Sequence, residues 1–432
     1  MYNTNPILFE ALLRKTASGA FGLECPPPEN LPAKGFVYEN GILYFERFWT
    51  KKQHLVALVN DRNQLKIAQL KKPFAVDERL NPAQKEALLD IFSSHTLLLQ
   101  GGPGSGKTFT ISRLIPLFLE ALPGARILVA AQTAKAVHHL ANQLDPSIRQ
   151  HIQVRTIHKL LKISPDIRPP ALTYIDYDLV IVDESSMLDI DLMCLFLESV
   201  SPTTRLLFVG DPQQLPPIEG GAPFKYLIET KPFPHHFLPG SHRAENRALI
   251  DAANALFFGE EPETLPLDLF SIEASLDYFP KPTNELPKSF PPLRYKILSS
   301  LRIGPHGSKE ISAKIFNQLY DQFKGQKERY MIVPIMITQN NEKLSLFNGQ
   351  EGVYVLDKKS PQRQAYFAHL PHPMPLALLP PHEISYAISI HKSQGSEYDH
   401  VDVLLPESKE PLLTEHLYTA MTRAKKICRL FQ

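Results

Sequence analysis

The chain has 432 residues, with 46 Lys or Arg against 45 Asp or Glu and a formal net charge of +1. This length allows two or three domains, and the charge balance excludes a chain coated in positive charge while allowing a local nucleic-acid groove. Three widely spaced cysteines, Cys25, Cys194 and Cys428, predict no disulfide framework and favour a reducing cytoplasm. With no signal-peptide pattern and no apolar run of 18 residues, the sequence predicts a soluble cytoplasmic protein without a membrane span.

Residues 1–75 form an N-terminal accessory region. Between residues 36 and 70 apolar side chains alternate in a strand-like manner, as at Leu43 and Phe45, and the pair Asn60-Asp61 marks a turn. Two interpretations stay open for this region. It is either a small domain that packs on the next one or a docking element for a partner.

Residues 76–232 alternate strand and helix patterns, which is typical of a parallel sheet flanked by helices. Asn81 and Pro82 predict a helix start, because Asn caps helices well and proline fits the first helical position. Buried strands are predicted at residues 97–99, 126–131, 179–182 and 205–209. Because such folds bind ligands at the carboxyl ends of their strands, we expect the functional residues of this lobe at one edge of its sheet.

Residues 101–108 read G-G-P-G-S-G-K-T between an apolar run and a helical pattern. This is the pattern of a phosphate-binding loop, whose glycines let several N–H groups point at one anion ahead of a helix N-terminus. Lys107 would reach the β- and γ-phosphates, and the Thr108 hydroxyl would hold Mg²⁺. The alternative is a Gly/Pro turn that happens to precede Lys-Thr. The predicted nucleotide-binding residues of this loop are Gly102, Pro103, Gly104, Ser105, Gly106, Lys107 and Thr108.

Polar residues follow two later strands of the same lobe. Asp183 and Glu184 end an apolar strand, and an ATPase needs one carboxylate for Mg²⁺ and a second for the attacking water. We therefore assign Asp183 to the metal and Glu184 to catalysis. Gln214, in the stretch G-D-P-Q-Q-L-P-P, can report the γ-phosphate through a hydrogen bond. The alternatives are a solvated strand end and a polar turn.

Residues 233–432 are predicted to form a second αβ lobe. Residues 262–292 contain seven prolines and predict an extended linker or insertion, and residues of about 350–383 predict a small β insertion. Arg243 and Arg423 lie in this lobe, and a guanidinium from across a cleft can stabilise charge on a transferring phosphoryl group. The alternative for each arginine is a surface ion pair.

From residue 80 to 432 the chain resembles the RecD-type superfamily 1 helicases, the family that contains the α subunit of exodeoxyribonuclease V. Residues 183–187, D-E-S-S-M, resemble the family's acidic block. Residues 390–398, I-H-K-S-Q-G-S-E-Y, resemble motif V, and residues 417–426, L-Y-T-A-M-T-R-A-K-K, resemble motif VI. The last two motifs point to this family rather than to P-loop ATPases at large. The family pattern A-P-T-G-R-A is replaced by A-Q-T-A-K-A at residues 131–136, and the interval from His158 to Asp183 leaves room for at most a short β-hairpin.

The resemblance implies an α/β fold of two RecA-like parallel-sheet P-loop lobes, with the small N-terminal region and the small β insertion in the second lobe. It implies ATP and Mg²⁺ as cofactors, and it places Gln84 against the adenine. Gln214, Gly395, Glu397 and Arg423 join the implied nucleotide-binding residues, and Lys107, Glu184, Gln214, Arg243 and Arg423 are the implied catalytic ones. Single-strand contacts are implied for Thr133, Thr156, His158, His391 and Ser393.

The implied activity is ATP-dependent 5′→3′ translocation on single-stranded DNA and unwinding from duplex ends, in recombinational double-strand break repair. The implied partners are the other two exodeoxyribonuclease V subunits. A free-standing RecD-like helicase is the alternative within the family. A nucleotide-gated scaffolding subunit with little unwinding, and a P-loop ATPase that acts on RNA or protein, are the alternatives outside it.

Overall fold

The computed structural model describes residues 6–28, 34–66, 68–70, 77–163, 173–218, 220–240, 247–267, 270–406 and 413–432. The chain divides into two units, Met1–His242 and Arg243–Gln432, and a parallel sheet lies in each of them. The predicted α/β class with a parallel sheet in both halves is therefore confirmed. None of the helices in the described ranges is long and apolar enough to cross a membrane.

Helices and strands alternate along the first unit. Its helices are α1 Pro6–Ala17, α2 Glu46–Gln64, α3 Pro82–Asp90, α4 Lys107–Ala121, α5 Ala134–Gln143, α6 Pro146–Arg149, α7 Ile157–Leu160, α8 Ile190–Ser199 and α9 Pro223–Thr230. Its strands are β1 Gly22–Glu24, β2 Phe36–Glu39, β3 Ile42–Phe45, β4 Thr96–Gln100, β5 Ile127–Ala131, β6 Ile152–Thr156, β7 Leu179–Asp183, β8 Arg205–Gly210 and β9 His235–Phe237.

Six of these strands form one parallel sheet in the order β6-β5-β7-β8-β4-β9. Both faces are covered, because successive residues of a strand enter two different cores. On β4, Leu98 packs with α8 and α9 residues, whereas Leu97 and Leu99 pack with α3 and α4 residues. This explains the unbroken apolar runs of the sequence, since a strand buried on both faces shows no polar alternation. Strand β9 extends this sheet beyond residue 232, the predicted end of the first lobe.

The accessory region joins the core of this sheet. Its strands form a separate antiparallel sheet in the order β1-β3-β2, and Phe48 and Leu55 of α2 are buried in the same apolar core as Phe196 of α8. The buried Arg62 at the end of α2 donates from Nε to Thr96 Oγ1 at 2.9 Å and from Nη2 to the carbonyl of Thr204. In the described residues this region therefore packs on the parallel sheet.

The predicted helix start at Asn81 is confirmed. The Asn81 side chain accepts a hydrogen bond from Gln84 N at 2.9 Å, the Gln84 side chain accepts one from Asn81 N at 3.0 Å, and Pro82 occupies the first turn. This reciprocal pair is a capping box, which satisfies two helix-end donors that the helix itself leaves free. Its local sequence signature made it predictable.

The second unit contains two sheets. Its helices are α10 Arg247–Ala255, α11 Ile272–Ser275, α12 Ser308–Gly325 and α13 Thr414–Met421. Its strands are β10 Tyr295–Ser299, β11 Tyr330–Ile337, β12 Glu351–Asp357, β13 Ser360–Tyr366, β14 Met374–Pro375, β15 His382–Ile384, β16 Ala387–Ser389, β17 Tyr398–Leu404 and β18 Ala424–Phe431. The parallel sheet has the order β16-β10-β17-β18, and the antiparallel sheet has the order β14-β13-β12-β11-β15.

The antiparallel sheet begins 20 residues before the predicted β insertion of about 350–383, because β11 pairs with β12 from Tyr330 to Met336. Every residue of β11 is buried, so its sequence lacks the polar alternation that marks a half-exposed antiparallel strand. The proline-rich residues 262–292 are attached to this unit through Leu276 and Phe279, which lie in its core, and through a bridge between Thr283 and Tyr330.

Candidate nucleotide and DNA site

The phosphate loop, residues 101–108, connects β4 to α4 as the sequence predicts. Gly104 and Gly106 have φ values of 74° and 89°, in the left-handed region that glycine adopts most easily. A Cβ at Gly101 would lie 2.4 Å from Ser105 Oγ, so the tight turn excludes a side chain there. Ser105 Oγ is buried and has no hydrogen-bond partner among the described residues. The loop is therefore shaped as an anion cradle with a polar group still to be satisfied.

Lys107 lies inside this loop. Its Nζ donates to the carbonyl oxygens of Gly101 at 2.5 Å and Gly102 at 3.0 Å. Thr108 lies in the first turn of α4, directly after Lys107. A helix N-terminus with a lysine ammonium beside it favours bound anions, so these groups fit a triphosphate.

Asp183 is the last residue of β7, and Glu184 follows it at the carboxyl edge of the same sheet. Burial and the neighbouring Glu184 raise the pKa of Asp183 to about 7, and Lys107 opposes this shift. Asp183 Oδ1 accepts a hydrogen bond from Glu184 N at 2.9 Å. A half-buried carboxylate with a raised pKa gains from a nearby cation, so its environment fits a divalent metal ion.

Glu184 has an unusual backbone. Its φ of 52° and ψ of 40° lie in the left-handed region, which costs a non-glycine residue about 1–2 kcal/mol. Glu184 is half-buried, whereas the next two residues, Ser185 and Ser186, are buried. The strain turns Glu184 away from the strand direction, so that two adjacent carboxyl groups take up different positions.

Gln214 follows β8 and is buried. Its Nε2 donates to Asp211 Oδ2 at 3.3 Å, and its backbone N donates to Asp211 O at 3.1 Å. Asp211 thus fixes the side chain of Gln214. Gln84 is also buried, and its Nε2 has no partner in the described part of the chain. The oxygen of that amide is therefore used by the capping box, while its Nε2 donor has no partner in the described residues.

The three residues of the first unit predicted to contact DNA lie at helix starts. Thr133 Oγ1 accepts from Ala136 N at 3.2 Å, which makes it the N-cap of α5. Thr156 Oγ1 accepts from Lys159 N at 3.2 Å, which makes it the N-cap of α7. His158 is exposed. Both hydroxyls therefore stabilise helix ends, and their contact with DNA stays a prediction.

In the second unit, motif V forms the loop of residues 390–397 between β16 and β17, called here the motif V loop. Ser393 is buried, and its Oγ donates to Ile390 O at 2.6 Å. His391 packs on His416 with a ring distance of 5.1 Å, and burial lowers the pKa of His391. Gly395 has a φ of 68°, and Glu397 pairs with Lys425 at 3.6 Å.

Arg423 is buried between motif VI and the motif V loop, with 4% of its surface exposed. Its guanidinium donates to Thr419 O at 3.0 Å, Thr422 Oγ1 at 3.2 Å and Ser396 O at 3.4 Å. All of these are neutral oxygens, and no ion pair of Arg423 with a carboxylate occurs in the described residues. Arg243, and residues 164–172 where the short hairpin is predicted, lie outside the described residues.

Comparison with known proteins identifies the family of this chain. Family models match an AAA domain over residues 79–268 and a UvrD-like helicase C-terminal domain over residues 385–431. The RecBCD enzyme subunit RecD of Mycobacterium tuberculosis (strain ATCC 25618 / H37Rv) is 30% identical over 447 residues, which cover 91% of this chain and 76% of that protein. This chain belongs to the RecD family. As a RecD-family member it is an ATP-dependent DNA helicase, and the resemblance to RecD-type helicases is confirmed.

Two further proteins are similar to this RecD-family chain. The ATP-dependent RecD2 DNA helicase of Deinococcus radiodurans is 30% identical over 79% of this chain and 48% of that protein. A crystal structure of the Pif1 helicase from Bacteroides in complex with ADP-AlF3 and ssDNA has a TM-score of 0.48 at 16% identity, over 82% of this chain and 92% of that chain.

The RecD-type motifs do not identify the residues that hold the motif V loop. Glu383 contacts Lys392 of this loop, and Glu351 and Lys296 contact Tyr398 just after it, over separations of 9, 47 and 102 residues. Lys296 is 1% exposed and pairs with Glu351 at 3.0 Å. The sequence signal is a lysine inside the short run Tyr295–Ser299, which forms the buried strand β10, because a buried lysine needs an acidic partner.

Proposed function

We propose that this chain is a 5′→3′ single-strand DNA translocase and helicase that acts in recombinational double-strand break repair, as the α subunit of an exodeoxyribonuclease V complex. The observation that carries the motor mechanism is the division of charge between the units. Two acidic side chains, Asp183 and Glu184, lie with Lys107 in the first unit. Among the described residues, the guanidinium of the buried Arg423 in the second unit bonds only to neutral oxygens.

The residues of the first unit fit nucleotide binding. Lys107 and the N–H groups of the phosphate loop would bind the β- and γ-phosphates, and Gln84 Nε2 would donate to the adenine. Asp183 and the Thr108 hydroxyl would hold Mg²⁺, which when bound neutralises charge on the phosphate oxygens. Their fit to the ion rests on the half-buried Asp183 carboxyl, which ends β7 beside Glu184 and interacts electrostatically with Lys107 of the phosphate loop.

Hydrolysis would then be carried out by the chain's own polar groups. Glu184 would accept a proton from the attacking water or orient it, and Gln214 would sense the terminal phosphate from its position on Asp211. Arg423 and Arg243 would stabilise negative charge on the transferring phosphoryl group, an effect of about 10³–10⁵ in rate in known phosphoryl-transfer enzymes. Because an arginine has this partner only when the triphosphate is present, closure of the lobes would follow the nucleotide state.

A free-standing helicase is the second candidate, and the similarity to the RecD2 helicase of Deinococcus radiodurans favours it. Gel filtration of the purified chain with and without candidate partner subunits distinguishes the two. Co-elution at the mass of a three-subunit complex supports the exodeoxyribonuclease V assignment. A chain that stays alone and unwinds duplex DNA supports the free-standing enzyme.

The direct test of the motor compares ATP turnover with single-stranded DNA, with RNA and with no polymer. We expect strong stimulation by DNA alone. Equal rates in all three conditions would contradict the DNA motor, and ATP-dependent partner binding without turnover would indicate a scaffolding subunit. Polarity is tested with strands blocked at either end, where displacement of a block at the 3′ end supports 5′→3′ movement.

A further inference from the structure

Two carboxylates from the antiparallel sheet hold the two ends of the motif V loop. Near its start, Lys392 Nζ is bonded to Glu383 of β15. Just after its end, Tyr398 OH donates to Glu351 Oε1 of β12 at 2.7 Å. The loop is therefore fixed at both ends to a sheet that carries none of the predicted ATP-site residues.

Glu351 has a second strong partner. Lys296 Nζ of β10 lies 3.0 Å from Glu351 Oε1 and donates to Ser385 O at 2.7 Å. Lys296 is 1% exposed, so its charge depends on that carboxylate. In buried pairs the removal of one partner is costly because it leaves the other charge uncompensated. Glu351 consequently has one fixed position, and Tyr398 is bonded to it.

Tyr398 continues this chain of contacts to Arg423. Its backbone N donates to Arg423 O at 2.9 Å, and the Arg423 guanidinium donates back to Ser396 O in the motif V loop at 3.4 Å. Burial and the Glu351 carboxylate raise the pKa of Tyr398 well above its usual range. The phenol therefore remains a hydrogen-bond donor at any pH at which the enzyme works.

We propose that Glu351, acting through Tyr398, is a positioning residue for ATP turnover: it fixes the motif V loop and Arg423 relative to the antiparallel sheet. This inference rests on the proposed function, because it takes Arg423 to act on the terminal phosphate. It goes beyond that function in giving the antiparallel sheet a part in the ATPase cycle. A shift of the antiparallel sheet would move Arg423 through Tyr398, which is hydrogen-bonded to both Glu351 and Arg423.

Asp357 provides a matched control on the same strand. It accepts two hydrogen bonds from Arg329, at 2.7 and 2.8 Å, at the far end of β12 from Glu351. Asp357→Asn therefore weakens a charged pair of the same sheet without touching the motif V loop. Tyr398→Phe removes one hydroxyl from a buried ring and leaves its packing in place.

The experiment measures kcat and KM for ATP at saturating single-stranded DNA for the purified chain and its variants. We expect Tyr398→Phe to lower kcat about tenfold, the typical value of a lost hydrogen bond to a charged group, with KM for ATP changed less than about twofold. Asp357→Asn should leave both constants unchanged. The double variant Glu351→Gln/Lys296→Met should regain most of the kcat that Glu351→Gln loses, because the glutamine oxygen still accepts from Tyr398 and no buried charge is left alone.

Amide hydrogen exchange of residues 390–398 gives a second measurement that does not depend on turnover. We expect faster exchange in Tyr398→Phe and no change in Asp357→Asn. The positioning role is overturned if exchange is unchanged in Tyr398→Phe, or if Tyr398→Phe and Asp357→Asn lose equal fractions of kcat. A wild-type chain without DNA-stimulated turnover contradicts the proposed function instead, and the exchange measurement still decides the inference.

Discussion

The carboxyl edges of the two parallel sheets differ in how completely their polar groups are bonded. In the first unit Asp183 has a pKa raised to about 7, Glu184 has a left-handed backbone, and Ser105 Oγ has no partner among the described residues. In the second unit the motif V loop is held by the Lys392–Glu383 ion pair and the Tyr398–Glu351 hydrogen bond, and Arg423 is held by hydrogen bonds to neutral oxygens. The first edge stores strain and unmet bonds that a ligand can relieve, whereas the second edge has a fixed geometry.

The largest effect is expected at the carboxyl edge of the first sheet, where polar groups lack hydrogen-bond partners among the described residues. Lys107→Ala removes the ammonium group that lies in the phosphate loop, so DNA-stimulated ATP turnover should fall by more than about 10³-fold, while single-strand binding persists. Lys66→Ala, which removes an exposed lysine beyond α2, serves as the control and should keep full turnover. Undiminished turnover in Lys107→Ala rules out the mechanism.

The next effect tests the carboxyl edge of the second sheet, where hydrogen bonds hold Arg423. Arg423→Lys keeps a positive charge but loses the planar group that donates to three oxygens, so turnover should fall about 10²-fold or more. Arg429→Lys is the matched control, because Arg429 lies on β18 and forms a two-bond ion pair with Asp402 at 2.6 and 2.7 Å. If both variants lose activity equally, Arg423 has no special part in hydrolysis.

A smaller effect concerns the stability cost of Asp183. Its pKa is raised on folding, to about 7, so the folded chain binds this proton more tightly than the unfolded chain. Its contribution to stability is therefore complete only below the unfolded pKa of 3.8 and is lost as the pH rises from there to about 7. Asp183→Asn should raise Tm by a few degrees at pH 8 and by clearly less at pH 5, where only part of this loss has occurred.

Thermal unfolding at both pH values, without nucleotide or metal, measures this difference. The control is Asp191→Asn, because Asp191 is an exposed residue paired with Lys51 at 2.5 Å. It should show no gain in Tm at pH 8. An Asp183→Asn variant that is less stable than wild type at pH 8 would contradict the view that this edge is under strain.

The smallest effect separates capping from DNA contact at Thr133. Thr133→Ala loses the N-cap of α5 and should lower the free energy of unfolding by about 1 kcal/mol. Thr133→Asp keeps a capping oxygen but adds a negative charge, which would repel a DNA phosphate. We expect wild-type stability and weaker single-strand binding in Thr133→Asp. Equal DNA affinity in wild type and Thr133→Asp would show that the hydroxyl acts only as a cap.

The predictable parts of this molecule are those whose signal is local. The phosphate loop and the helix start at Asn81 and Pro82 each occupy a few consecutive residues with fixed chemistry, and both take the predicted form. Their neighbours in the fold were not predictable in the same way. Nothing in the sequence predicts the left-handed backbone of Glu184, because glycine is the usual residue at that φ. The contact of Glu351 with Tyr398 joins residues 47 positions apart, and no pattern in either segment indicates the other.

The place of β4 within its sheet has a consequence for biosynthesis. This strand, which leads into the phosphate loop, lies between β8 and β9, so its partners are residues 206–210 and 235–237. Pairings over more than 100 residues form late, because the intervening chain must first be ordered. The nucleotide cradle can therefore assume its shape only after about 240 residues have left the ribosome, and a shorter nascent chain should be unable to bind ATP.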